Sequence, residues 1–305
     1  MRQLLHRCKQ AHKVKAGFLQ VAIANVKQLI DAQLQGRTRT YSFTKTPAQA
    51  TTAGYWFDLS MSPGNPPGKY WFDSAPLVAK AIYQSTDGGI YHGPSVSPSK
   101  KYIRKLTVQV TSAAPLPMPM ILCDYLLYYP TIDDGTTDPQ NFTNEEALPR
   151  YSDETKEVLP IAVTTAPHTT GPGVTVGYES EAGGKATAIE TMNTATAIGT
   201  ISTSNTIGSS PHPFLSLAQG DSGVKQLLSA QMSKPDIGLF SLLLVRPLAQ
   251  ITINEATTVT EKDFFLSDVG LPEIKDDAFL GFLVNPTRGS LSGVQIRGDL
   301  QIVWD

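Results

Sequence analysis

The sequence predicts a mostly all-β fold, a β-sandwich or jelly-roll-like body preceded by an N-terminal amphipathic α-helix. Three observations carry that expectation. Short apolar or alternating segments recur along most of the chain, separated by turn signals rather than by helical patterns. Charged residues make up only 17% of the 305, while Gly and Pro number 24 and 22; globular chains usually carry ~25% charge. A helical period of any length occurs once, near the N-terminus. With 41% hydrophobic residues and a mean hydropathy of -0.13, the chain has apolar material for a large core.

The helical period lies in residues 11–35. Val14, Phe18, Val21, Asn25 and Leu29 recur at three- and four-residue steps, and Val26, Ile30 and Leu34 widen the stripe. Gly36 stands where a left-handed C-cap is expected. The charge around this helix is lopsided. Residues 1–39 carry Arg2, Arg7, Lys9, Lys13, Lys15, Lys27, Arg37 and Arg39 against the single acid Asp31, which leaves 17 bases and 26 acids in the remainder. Residues 1–40 therefore read as a basic helical arm and 41–305 as a β-rich body, with a further division into about 41–150 and 151–305 left open. An arm of +7 before a body of -9 suits docking on an acidic neighbouring copy, with nucleic acid as a further partner open to it. Its contact residues would be Arg2, Arg7, Lys9, Lys13 and Lys15 by charge, and Phe18, Val21 and Leu29 by the apolar stripe.

After Arg39 the pattern becomes β. Tyr55-Trp56-Phe57 and Tyr70-Trp71-Phe72 open two near-identical blocks, YWFDLS and YWFDSA, across the Pro/Gly-rich loop 62–68. The blocks suggest a hairpin, whose register so long a loop leaves open. Tyr55, Trp56, Tyr70 and Trp71 are candidate interaction residues; rings at strand ends more often fill a core or interface than stack on sugars or bases. Strands are expected over 77–83, 102–110, 121–129, 158–164 and 174–178. KLTVQV alternates as a half-buried strand should, and ILCDYLLYYP reads as buried on both faces apart from Asp124. The Thr/Ala-rich stretch 182–210 favours paired strands, and VKQLLSAQM (224–232) reads as a helix or turn. GLFSLLLVRPL is a buried strand closing on the following AQITINEATTVTEKDFFL like a hairpin, with Pro247 at an edge or bulge. AFLGFLV and VQIRGDLQIVWD are the last strands.

Catalytic patterns are weak. Gly220-Asp221-Ser222-Gly223 resembles the nucleophile loop of trypsin-like proteases, but Val224 follows where that family has a second Gly. His92, His168 and His212 sit in no setting suited to a triad base, so a plain turn is expected. Asp133, Asp134 and Asp138, near Asp124, lack the spacing of a calcium loop and read as a solvated turn. Glu145-Glu146 and Asp276-Asp277 are adjacent acids, which point to opposite faces of a strand. No phosphate loop or dinucleotide fingerprint occurs. The expectation is no catalytic residue, no metal and no cofactor. Cys8 and Cys123 suit two free thiols rather than a disulfide scaffold or zinc site. No apolar run spans a membrane, and His12, Lys13 and Lys15 interrupt any secretion signal.

The segments IYHGPSVSPSKKYIRKL, ILCDYLLYYPTIDDGTTDPQNF and ALPRYSD resemble a group of tailed-bacteriophage virion proteins, as do LLLVRPLA, FLGFLVNPTRGSL and DLQIVWD. The resemblance covers most of residues 55–305 and rests on a few phrases. It implies a non-enzymatic structural subunit of the virion, assembled in the host cytoplasm: a capsid decoration, cement or minor head protein, or a neck or tail component. Its partners would be copies of itself and other virion proteins. A carbohydrate- or receptor-binding β-module, with the YWFD blocks as platforms, is the alternative.

Overall fold

The computed structural model describes residues 23–195, 197–203, 212–267 and 270–305. Arg2, Arg7, Cys8, Lys9, Lys13, Lys15, Phe18 and Val21 lie outside the described residues, as do positions 196 and 204–210 of the Thr-rich stretch. The first half of the chain gives α1 (Val26–Leu34), β1 (Thr38–Lys45), β2 (Phe57–Asp58), β3 (Gly64–Asn65), β4 (Lys80–Ala81), α2 (Gln84–Asp87), β5 (Lys101–Val110), β6 (Met118–Asp133) and β7 (Gln140–Asn141). The second half gives β8 (Leu159–Ala166), β9 (Gly173–Ser180), β10 (Lys185–Thr191), β11 (Val224–Met232), β12 (Leu239–Ile253), β13 (Thr260–Asp263), α3 (Phe264–Ser267), β14 (Glu273–Ile274), β15 (Phe279–Val284) and β16 (Ile296–Trp304). The body is mostly antiparallel β, as its sequence predicts.

Three sheets organise these strands. A central sheet runs β2-β15-β6-β12-β8, with β4 also on β6; a second runs β13-β5-β16-β1-β3, with β14 also on β5; a third runs β10-β9-β11-β7. β6 and β12 are 16 and 15 residues long, and they pair from Leu239↔Asp133 to Ile253↔Met118. Their length lets one sheet serve two cores in series. At one end Met118, Met120, Leu122, Ile251 and Ile253 pack with Phe43, Ile103, Leu106, Ile296 and Leu300 of the second sheet. At the other, Leu126, Tyr129, Phe240, Leu242 and Leu244 pack with Val174, Val176, Tyr178 and Leu227 of the third. The opposite face of the central sheet (Ile121, Cys123, Tyr125, Leu243, Val245) is covered by Trp56, Trp71, Ile201 and Phe214 from long connections. Pro247 sits in a register shift between Pro247 and Ala249. That bulge inserts one residue and reverses the alternation, so Leu243 and Val245 face one way while Ala249, Ile251 and Ile253 face the other.

Several sequence expectations need correction. The helix does not run unbroken over 11–35: Asn25 is extended (φ -150, ψ 164), and its side chain accepts from Gln28 N, capping a helix that starts at Val26. The C-terminal expectation holds, because Gly36 has φ +71, with Gly36 N donating to Gln33 O and Arg37 N to Ala32 O. The YWFD blocks form no hairpin; only Phe57–Asp58 is a strand, paired with β15. Segment 224–232 is strand β11. Its buried Val224, Leu227 and Ala230 recur every third residue because two register shifts against β9 interrupt the two-residue alternation. β12 continues through 239–253 as one strand, and β13 pairs with β5 rather than closing a hairpin on β12. The expected 77–83 strand shrinks to β4. β1 pairs along its whole length with β16, near the C-terminal end of the body.

Candidate functional site

The aromatic blocks meet inside the body. Asp58 of the first accepts Trp71 Nε1 of the second at 2.5 Å, along with Tyr125 OH at 2.8 Å, Ser60 N at 2.9 Å and Ser60 Oγ at 2.6 Å. Trp71 stacks on Tyr125 with centroids 5.5 Å apart. Trp56 and Trp71 are buried, Tyr55 is half-buried, and Tyr70 and Phe72 are exposed at 58% and 61%. The repeat thus builds core, and the two indoles offer no face to a sugar. Lys45, also buried, donates to Ser60 O, Ser62 O and Pro67 O at 3.0–3.3 Å. Burial pushes its ammonium down to about 8, with the nearby Asp58 charge opposing.

Asp124 occupies the junction of the two cores, between Leu122 in the first and Leu126 in the second. Arg150 reaches it with two bonds, Nε to Oδ2 at 2.9 Å and Nη2 to Oδ1 at 2.8 Å. Nη2 also meets the carbonyls of Ile82 at 3.0 Å and Tyr125 at 2.8 Å. Burial raises the Asp124 carboxyl above its ordinary value, and the guanidinium opposes that rise. The pair is a buried brace.

Asp134, His168 and Asp236 converge where β6 and β8 end and β12 is about to begin. All three are buried, with one potential ligand atom from each within 4.8 Å of the others. His168 Nδ1 is bonded to Asp134 Oδ2. Asp134 Oδ1 and His168 Nε2 have no hydrogen-bond partner among the described residues. Asp236 is different: it accepts from Thr169 N at 2.9 Å, Thr169 Oγ1 at 2.6 Å, Thr170 N at 2.8 Å and Ile237 N at 2.9 Å. Burial raises its carboxyl, but these donors outweigh it and hold the group well below the usual range. With those lone pairs engaged, the cluster falls short of the ligand set of a zinc site. It pins the loop after β8 to the sheet end.

The protease-like turn is also explained. Ser222 Oγ donates to Glu181 at 2.9 Å, Ser222 N to the same oxygen at 3.0 Å, and Tyr178 OH to Asp221 at 2.7 Å. Ser222 and His212 both border an open groove of about 530 Å³, but the serine proton is committed to a carboxylate rather than to an imidazole. A Cβ on Gly223 would lie 1.9 Å from Thr155 O, so the glycine is there for close packing.

The surface feature that stands apart is α1. Leu29 and Ala32 are buried with Ile23, Tyr102 and Val303, whereas Val26, Ile30 and Leu34 are exposed at 56%, 47% and 81%. The helix is apolar on two flanks, and the body covers one. Of the arm residues expected to make contacts, Leu29 alone is among those described, and it faces the body.

Sequence reasoning missed Arg150 and the association of His168 with Asp134 and Asp236. Asp124 signalled itself as the one acid in an apolar run, but its partner lies 26 positions away. His168 and Asp134, 34 positions apart, meet only because β6 and β8, which flank β12, end together.

No protein-family model matches the chain, and no curated protein matches it. Among solved structures, the D431N mutant VP2 protein of infectious bursal disease virus, from derived T=1 particles, is similar at 9% identity and a TM-score of 0.17, covering 87% of this chain and 77% of that one. A likeness of that size transfers neither fold nor function.

Proposed function

We propose that this chain is a non-enzymatic structural subunit of a phage particle, capsid-associated as a decoration, cement or minor head protein. It assembles through its β body and N-terminal arm. The observation that carries this reading is the two-flanked α1, half seated on the body and half uncovered, directly after a basic segment with its own apolar stripe. A body joined to its surroundings by such an arm is the design of an assembling subunit. The low charge fits a surface that is largely covered by neighbours, and the phrases shared with tailed-phage virion proteins point the same way. A neck or tail component differs from a capsid-associated one in copy number rather than in these features. The glycan-binding alternative loses its platforms, because Trp56 and Trp71 are buried.

The test is a quantitative protein inventory, by mass spectrometry, of gradient-purified particles from the phage that encodes the chain. Presence at a copy number comparable with the major capsid protein supports the capsid assignment; a few copies per particle moves it to the neck or tail. Absence from the particles refutes the reading.

A further inference from the structure

We infer that Val26, Ile30 and Leu34 form the seat for residues 11–22 of a second copy of this chain, so that neighbouring subunits exchange arms. The inference rests on the assembly reading above and names the partner of that surface.

The three side chains recur every fourth residue along one flank of α1 and are all exposed. The other flank, with Leu29 and Ala32, lies in the same buried cluster as Ile23. The chain therefore reaches α1 along its body side, and the extended Asn25 turns it into the helix. To lie on the outer stripe, a chain's own arm would have to wrap from the body side around the helix. An arm from a neighbour approaches that stripe directly.

Size argues in the same direction. α1 has nine residues and is ~13 Å long. Three side chains on so short a helix fall well below the ~800 Å² per partner of a stable interface, so α1 meeting α1 does not suffice. A helix of twelve residues is ~18 Å long, and residues 11–22 bring Val14, Phe18 and Val21 at four- and three-residue steps. Reciprocal exchange doubles the contact. Residues 1–22 include Arg2, Arg7, Lys9, Lys13 and Lys15 and no acid, while residues 40–305 carry nine more acids than bases. The arm is thus drawn to a neighbour's body before its apolar stripe is seated.

The test uses the full chain with Cys8→Ser, which leaves the buried Cys123 as its only native thiol. One tagged copy carries Phe18→Cys and a differently tagged copy carries Ile30→Cys; the two are mixed and mildly oxidised. The expected product is a disulfide joining the two tags, and a chain carrying both cysteines should give linked multimers. Closure of the doubly substituted chain on itself, linkage only between Ile30→Cys copies, or no linkage would each overturn the inference. A second variant, Ile30→Asp with Leu34→Asp, alters only exposed positions and should weaken self-association roughly a hundredfold; unchanged association overturns the proposal as well. The readout needs no particle. Arm exchange without the chain in particles would sink the virion reading alone, and presence in particles without exchange would sink this inference alone.

Discussion

Asp124 is a carboxylate that has left water completely, and its stability contribution depends on Arg150 staying in place. Removing one partner of a buried pair strands the other charge, which typically costs about 3–5 kcal/mol, whereas exchanging both for apolar groups costs much less. Asp124→Asn should therefore lower the unfolding free energy by about that amount in chemical denaturation, and Asp124→Leu with Arg150→Met should cost less than the two single changes summed. His92 makes a second residue-level prediction. Its Nε2 donates to Ala278 O at 2.9 Å, and its Nδ1 accepts from Lys101 Nζ at 3.0 Å, with Asp276 facing the lysine at 3.9 Å. Burial, and then the Lys101 charge, push the imidazole down to about 4 from an ordinary 6.5. Between those values the unfolded chain binds more protons than the folded one, so the His92 contribution is full above the higher value and is lost as pH falls toward the lower. Urea denaturation across that window should show falling stability, with a shallower slope in His92→Gln; an equal slope would remove His92 as the cause. Little at this scale is legible in the sequence. A lone acid in ILCDYLLYYP announces that it needs a partner, but only the folded chain brings Arg150 to it.

α1 separates folding from assembly within one element. Leu29 is buried against Tyr102 and Val303, and Leu34 lies in the open. Leu29→Ala should cost about 2–4 kcal/mol of stability. Leu34→Ala should change stability by less than about 0.5 kcal/mol yet weaken self-association, as thermal unfolding beside sedimentation would show. Elements were legible where their period was clean. β5, β6, β8, β9, β15 and β16 follow alternating or continuous apolar runs, and the Gly36 cap was readable from its residue type alone. β11 was not, because its bulges convert a two-residue period into the three-residue one of a helix. The YWFD blocks misled for a different reason. Their likeness reflects Asp58 of one bonding Trp71 of the other in the core, not two strands in register.

Over the whole molecule, β6 and β12 run through both cores, so neither sandwich is complete without the strands it shares with the other. The all-β class was legible from turn spacing and low charge. The sharing of strands was not, since it depends on pairings such as β1 with β16 that join the two ends of the body. On such a body Ile23 and Leu29 are seated, and the exchange proposed above gives residues 11–22 to another subunit. The most direct check is the solution mass, by light scattering, of the full chain beside one beginning at Ile23. Oligomers of the full chain that fall to monomers when residues 1–22 are removed are what an assembling subunit with an exchanged arm predicts. Monomers in both cases, at the same concentration and salt, would contradict it.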